Sequence, residues 1–323
     1  MRQIMVTGGS GFIGSNFIRY VLKKYPHYGI VNYDKLTYAG NPDNLKGLES
    51  SPNYDFVHAD IDDMDKAVYV MRGCDAVINF AAESHVDRSI KSAREFMMTN
   101  VVGTQTLLEA ARVVVPSRFI HISTDEVYGS RNKGSFGEKD PLAPSSPYSA
   151  SKASSDLVCL SYMTTYGMPI IITRSSNNFG PYQYPEKLIP LLITNAIDDN
   201  PLPIYGDGKN IRDWIFVEDN CAGIDAVLHR GDVGKIYNIG GGMEVENIAI
   251  ALKILKIVDK PESLITHVPD RLGHDRRYSI DSGRAAKLGW APEKGFDEAL
   301  KTTVDWYKTN ESWWRKLKQE GVA

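Results

Sequence analysis

Cysteine is scarce, with Cys74, Cys159 and Cys221 the only three in 323 residues. They are odd in number, far apart and without C-x-x-C spacing, so neither a disulfide framework nor a cysteine zinc site is expected. Cys159 and Cys221 fall in apolar helical patterns and read as small core residues. No run of about 18 apolar residues occurs, so no membrane span is expected. The N-terminal residues lack an apolar leader and begin at once on a strand-like run, so no signal peptide is expected and the chain is placed in the cytoplasm. Basic excess is also absent. The formal net charge is -3, which argues against nucleic acid or an anionic membrane as partner. There is no internal repeat and no low-complexity stretch, and no metal is expected.

What is present is an alternation of short apolar runs with amphipathic stretches. Strands are expected at Gln3–Thr7, Gly29–Tyr33, Tyr54–His58, Ala76–Phe80, Arg118–Ser123 and Pro169–Arg174. Helices are expected at Ile13–Lys24, from Phe96 to about Val115, and at Tyr148–Tyr166, where apolar residues recur at helical spacing. This pattern predicts an α/β fold of the Rossmann type, a doubly wound parallel sheet covered on both faces. After about Ser175 turn dipeptides and prolines become dense. A helix at Glu246–Val258 and a polar one from Phe296 to about Lys318 are expected there. The predicted division is a dinucleotide-binding domain over 1–175 and a smaller substrate-binding domain over 176–323. The chain is expected to return to the first domain from about 211 to 240, since Trp214–Phe216 and Ile236–Ile239 also look like strands.

Gly8, Gly11 and Gly14 follow the first strand and open a helix. Glycine permits the tight turn, the approach of a pyrophosphate and close helix–strand packing. The helix N-terminus then offers free N–H groups to phosphate. Asp34 ends the second strand, where a carboxylate can accept from a ribose hydroxyl and would repel a 2′-phosphate, so NAD is expected rather than NADP. The G-x-x-G-x-x-G spacing points toward the short-chain dehydrogenase/reductase group.

Tyr148 and Lys152 form Y-x-x-x-K on a helix introduced by Ser145, Ser146 and Pro147. Residues four apart share a face, and an ammonium beside a phenol is expected to lower its pKa. Such a tyrosine can take a proton from a hydroxyl while hydride leaves the same carbon. Thr124, at the carboxyl end of the fifth strand, can hydrogen-bond that hydroxyl. Phe80, Ala81, Ala82 and Ser84 end the fourth strand beside the cofactor, and Asn100 could order a water or nearby backbone.

Asp125 and Glu126 follow Thr124 directly. Oxidation and reduction alone need no acid or base beyond the tyrosine, so two adjacent carboxyls point to further chemistry. Elimination of water needs a base for a carbon-bound proton and an acid for the departing hydroxyl. Neighbouring carboxyls push one pKa up, which lets one keep its proton while the other is ionised. A ketone made by oxidation acidifies the next C–H bond, so the two reactions belong together. Tyr148 is assigned as base at the oxidised carbon, Glu126 as base at its neighbour and Asp125 as acid at the leaving hydroxyl.

The segments TGGSGFIGSNF, DKLTYAGN, NFAAESHVDRS, STDEVYG, YSASKASSD, RSSNNFGPYQYPEKLIP, GDGKNIRDWIFVED and DRLGHDRRY together resemble the dTDP-glucose 4,6-dehydratases of the extended short-chain dehydrogenase/reductase superfamily. The resemblance covers essentially the whole chain. It implies conversion of dTDP-glucose to dTDP-4-keto-6-deoxyglucose, by oxidation at C4, elimination across C5–C6 and hydride return to C6, in deoxysugar biosynthesis. It also implies tightly held NAD and a homodimer built on the Phe96–Val115 and Tyr148–Tyr166 helices. By resemblance, Phe12, Ile13, Asp34, Lys35, Leu36 and Thr37 line the NAD site, with Asp60, Ile61, Ala81, Ala82, Thr99, Tyr148, Lys152 and Asn178. Ser84, Thr124, Asn177, Lys187, Leu188, Pro203, Ile204 and Tyr205 would hold the nucleotide sugar, together with Arg212, Asn247, Asp270, Arg271 and His274. Arg212 and Arg271 have the fork geometry that suits a diphosphate. Leu272 stands where the family commonly has proline. Two other readings fit parts of the pattern. An NAD-dependent nucleotide-sugar 4-epimerase would not need Asp125 and Glu126, and a non-catalytic NAD-binding regulator would need neither these nor Tyr148 and Lys152.

Overall fold

Short apolar runs closed by glycine, asparagine or an acid make strands, and the amphipathic stretches between them make covering helices. The protein was analysed as a computed structural model describing residues 1–320. The first half runs β1 (Gln3–Thr7), α1 (Phe12–Lys24), β2 (Gly29–Asp34), β3 (Tyr54–His58), α2 (Met64–Met71), β4 (Ala76–Asn79), α3 (Val86–Lys91), α4 (Ala93–Phe96), α5 (Thr104–Val114), β5 (Arg118–Thr124), α6 (Pro147–Tyr166) and β6 (Ile170–Ser175). The second half runs β7 (Asn177–Phe179), α7 (Leu188–Ile197), β8 (Leu202–Tyr205), β9 (Ile211–Phe216), α8 (Val217–Arg230), β10 (Ile236–Ile239), β11 (Met243–Glu246), α9 (Asn247–Val258), β12 (Ile265–Val268), α10 (Gly283–Ala286), α11 (Phe296–Thr309) and α12 (Glu311–Glu320).

Seven parallel strands form the central sheet in the order β10-β6-β5-β4-β1-β2-β3. Alternate residues of each strand serve opposite faces. Ile4 and Val6 pack with Phe17, Ile18 and Val21 of α1 and Ile224 and Val227 of α8. Met5 and Val77 pack with Met71 of α2, Leu107 and Leu108 of α5 and Cys159 of α6. The strand order reverses between β1 and β4, the place where a doubly wound sheet opens a crevice at its carboxyl ends. Gly8, Asp34, Phe80 and Thr124 all stand at that edge.

A second core gathers Phe179, Ile193, Trp214, Ile250, Leu300 and Trp314 around a three-stranded sheet, β11-β9-β7, and the pair β12-β8. Trp214–Phe216 therefore lies in the small sheet, whereas α8 covers the large sheet and β10 forms its seventh strand. No helix of the described residues is long and apolar enough to cross a membrane. All three cysteines are buried and unbridged.

Two helices differ from expectation. The helix expected from Phe96 to about Val115 is π-helical over Met97–Gly103 before α5 begins. A Cβ on Gly103 would lie 2.5 Å from the Ile61 side chain. Within the widened turn Asn100 faces inward, accepting from Glu83 N at 2.8 Å and donating to Glu83 O at 3.0 Å and Ser151 Oγ at 2.8 Å. The C-terminal helix is broken at Asn310, whose side-chain amide bonds the Trp306 carbonyl at 2.8 Å. That local bond competes with continuation of the helix.

Candidate active site

The glycine turn between β1 and α1 is shaped by close approach. Gly8 has φ +65°, and a Cβ there would stand 2.6 Å from Ala81 N. A Cβ on Gly14 would stand 2.3 Å from Gly8 O. Gly11 caps α1 with no side chain of its own, leaving the first N–H groups of the helix free to face an anion. Asp34 Oδ2 accepts from Ser10 N at 2.9 Å and Oδ1 from Leu36 N at 2.8 Å, so the turn and the ribose-side carboxylate form one unit.

A cleft of about 650 Å³ runs from this turn to Ser123, Tyr148 and Lys152. Of the predicted cofactor residues, Gly8, Gly11, Phe12, Ile13, Gly14, Asp34, Lys35, Thr37, Asp60, Ile61, Phe80, Ala81, Ala82, Ser84, Thr99, Tyr148 and Lys152 line it. Leu36 and Asn178 do not. Leu36 contributes its backbone N–H to Asp34, and Asn178 donates to Ser176 O at 2.9 Å. Lys35 and Asp60 are ion-paired at the rim. A dinucleotide fits this lining, with glycines where a Cβ would clash and a buried acid one strand away. Tyr38, Asn44, Met98, Tyr182, Glu186, Trp313 and Leu317 line the cleft as well, and sequence reasoning did not find them. Arg88 stacks 3.7 Å over the Tyr38 ring while both it and the Tyr38 hydroxyl bond Glu186, so the second half of the chain closes over the first.

The reactive groups meet where β5 ends. Thr124 Oγ1 donates to Asp125 Oδ1 at 3.2 Å and accepts from Glu126 N at 3.3 Å, starting a tight turn over residues 125–128. Asp125 is 2% exposed, and its Oδ2 has no partner among the described residues. Burial pushes its pKa well up, and the charges of Glu126 and Asp213 add to this. Burial also raises Glu126, but Arg212, Arg271 and Lys187 oppose it with positive charge. The pair is thus polarised, with the proton favoured on Asp125 and the charge on Glu126. Asp213, behind them on β9, is pushed up to about 7 by burial.

Tyr148 enters from α6, whose start is held by a reciprocal Ser146–Ser149 capping box with Pro147 in the first turn. Its phenol neighbours the Thr124 hydroxyl, the carboxyl pair and the side of the cleft. The expected lowering of its pKa is not what the structure gives. Burial raises it first, and the Glu126 charge raises it further. Lys152 Nζ donates to Ile122 O at 2.7 Å, and burial brings Lys152 down to about 8. Behind Lys152, Asp156 takes Arg174 Nε at 2.8 Å, and Arg174 donates to Tyr128, which donates to Asn238. His121 comes within 3.7 Å of Asp156 but is no ion pair, because burial and then Lys152 and Arg174 hold it neutral.

Three predicted sugar-nucleotide residues, Arg212, Arg271 and Lys187, bring positive charge to Glu126 from the other half of the chain. Arg212 Nη2 donates to Asp275 O at 2.9 Å with its guanidinium 4.2 Å over the Tyr278 ring. Lys187, at the head of α7 before Leu188, donates to Ser84 O at 2.8 Å. Arg271 lies 3.7 Å from Asp87, which also accepts from the Tyr205 hydroxyl at 3.3 Å. His274 sits edge-on to Tyr205 and bonds Asp270 at 2.6 Å. Asn177 Oδ1, Asn247 Oδ1 and Arg271 Nε are buried without partners among the described residues, which leaves hydrogen-bonding capacity for a ligand. Pro203 and Ile204 lie in β8, where the Ile204 side chain is 1% exposed and belongs to the second core. Leu272 is 79% exposed.

Residues 5–303 match the family described as GDP-mannose 4,6 dehydratase. The chain is 53% identical over 305 residues to the low-salt glycan biosynthesis protein Agl12 of Haloferax volcanii, covering 94% of this chain and 98% of that one. It is 49% identical to a dTDP-glucose 4,6-dehydratase of Streptomyces niveus, covering 99% and 97% of the two chains. Among solved structures, DesIV, a dTDP-glucose 4,6-dehydratase from Streptomyces venezuelae crystallised with NAD, superposes with a TM-score of 0.96 at 49% identity, covering 98% and 99%.

Proposed function

Because the chain belongs to the GDP-mannose 4,6 dehydratase family, we propose that it is an NAD-dependent dTDP-glucose 4,6-dehydratase, converting its substrate to dTDP-4-keto-6-deoxyglucose. The observation that carries this reading is the polarised Asp125–Glu126 pair beside Tyr148 at the end of β5. An epimerase would have no use for it. Bound NAD supplies a hydride acceptor that later returns the hydride. The glycine turn and the N-terminus of α1 would hold its phosphates, and Asp34 would take a ribose hydroxyl.

Tyr148 removes the proton of the C4 hydroxyl, which Thr124 orients. Lys152 stands one turn further along α6 with its ammonium on Ile122 O, and the positive charge of bound NAD would favour the phenolate that takes this proton. Glu126 then removes the C5 proton, now beside a ketone. Asp125 gives its proton to the C6 oxygen, which leaves as water. Glu126 returns its proton to C5 as hydride reaches C6, and the proton gained by Tyr148 makes good the one lost by Asp125. Arg212, Arg271 and Lys187 offset the charge of the diphosphate.

In this reading residues 1–175, with α8 and β10 completing their sheet, hold most of the cofactor, and the rest of the chain closes the cleft and supplies most of the groups for the sugar nucleotide. The enzyme works in the cytoplasm as a homodimer. Val102, beside α5, with Val113 on α5 and Leu157 and Tyr166 on α6 are exposed apolar residues on adjoining helices, which supports that assembly. Incubation with dTDP-glucose and, separately, UDP-glucose tests the reading. The expected product of the first is the 4-keto-6-deoxy sugar by NMR. A C4 epimer, or no turnover of either sugar, would refute it.

A further inference from the structure

The last helix of the chain reaches back to the cofactor cleft. Trp313 and Leu317, both on α12, line the same cleft as Gly8, Gly11 and Asp34. Their helix is anchored in the second core by Trp314, which is fully buried and donates its indole N–H to Tyr307 O at 2.9 Å. Trp313 faces the other way. Its indole N–H donates to Asn44 Oδ1 at 3.0 Å, and the Asn44 amide donates to Ser10 O at 2.9 Å. Two hydrogen bonds therefore run from the C-terminal helix to the turn that cradles phosphate. The Trp313 ring also packs edge-on against Trp306 at 5.1 Å and Tyr182 at 6.1 Å, and Arg19 of α1 sits 5.1 Å over the Tyr182 ring. Lys316 approaches Asp43 at 3.6 Å on the surface, a contact worth little by itself.

We propose that Trp313 retains the dinucleotide, forming part of the cleft wall and, through Asn44, fastening the segment after β2 against the second core. The proposal rests on the NAD reading above and adds to it a residue outside the Rossmann half. The chemistry gives retention a purpose, because a hydride taken from C4 must return to C6 of the same sugar. A cofactor that left between these steps would strand an oxidised intermediate. Asn44 lines the cleft, and the Trp313 bridge holds its segment in place over the bound dinucleotide, so the effect belongs in the off-rate.

Trp313→Ala and Trp313→Phe in the full chain test the proposal against the unchanged protein. The readouts are NAD content after gel filtration, the rate of NAD release in a chase with excess competing dinucleotide, and a thermal melt. Trp313→Ala is expected to release NAD about tenfold faster, to be purified with less of it, and to depend on added NAD for dehydration. Trp313→Phe keeps a ring but loses the N–H, and is expected to fall between. Folded variants that release NAD at the unchanged rate would overturn the proposal. If the alanine variant does not fold, an unchanged release rate in the phenylalanine variant would overturn it alone. An unsubstituted chain that carries and binds no NAD would instead refute the cofactor reading itself.

Discussion

Asp125 and Glu126 are adjacent in sequence but differ in surroundings, and the proposed reaction depends on that difference. Asp125 is enclosed, with two carboxylates near it, so it holds a proton into a range where an ordinary aspartate is ionised. Glu126 faces three cations. Elimination then needs Glu126 ionised and Asp125 protonated. Its rate should fall as pH drops through the raised pKa of Glu126, and fall again as pH rises through that of Asp125. Asp125→Asn should slow elimination about 10²–10⁴-fold and remove the alkaline limb, as a pH–rate profile of product formation would show. A profile that keeps both limbs would take the acid role from Asp125. Behind the site, Asp156 is fully buried between Arg174 and Lys152. Asp156→Asn leaves two buried cations without their carboxylate and should cost about 3–5 kcal/mol in urea unfolding. His121 sets an acid limit. Its folded pKa is depressed, so the unfolded chain takes up a proton that the folded one refuses. Stability should decline as pH falls below about 6.5, and His121→Gln should flatten that decline in denaturation curves measured across the range. The residue types and their spacing were legible in sequence. The direction of the Tyr148 shift was not, because it follows from burial and from the nearby charge of Glu126.

Elements were legible where local chemistry decides them. The strands of the large sheet are β-branched and apolar runs bounded by turn residues, and α6 announces itself by Ser146 and Pro147. Ser146→Ala should remove the cap and cost about 1 kcal/mol, and it should displace Tyr148, which lies in the first turn. A fall in melting temperature together with a lower turnover rate would register both effects. The π-helical stretch over Met97–Gly103 was not legible, since it depends on Gly103 meeting Ile61 and on Asn100 meeting the backbone of Glu83. Neither contact is local. The break at Asn310 carried a weak local signal, an amide able to bond its own helix, within a sequence that otherwise keeps helical spacing.

At the scale of the molecule, the site is a seam between two cores. The large sheet and α6 provide the cofactor turn, Tyr148 and the carboxyl pair, and the second half of the chain provides Lys187, Arg212 and Arg271. Contacts across the seam escape a reading by motif. Trp313 meets Asn44 across 269 residues, and a tryptophan at helical spacing reads simply as core. Tyr38, Arg88 and Glu186 are likewise brought together only by folding. The exposed apolar residues of α5 and α6 belong to this scale too. Under the proposed dimer, Leu157→Glu should leave a monomer in sedimentation velocity, while an unchanged sedimentation coefficient would count against this interface.

In the proposed reaction Glu126 takes a proton from carbon only after C4 has become a ketone. Glu126→Gln incubated with dTDP-glucose in heavy water isolates that step. Absorbance of reduced cofactor should rise while NMR shows C5 keeping its original hydrogen and C6 its oxygen. Deuterium at C5 and a 6-deoxy product formed at the normal rate would contradict it.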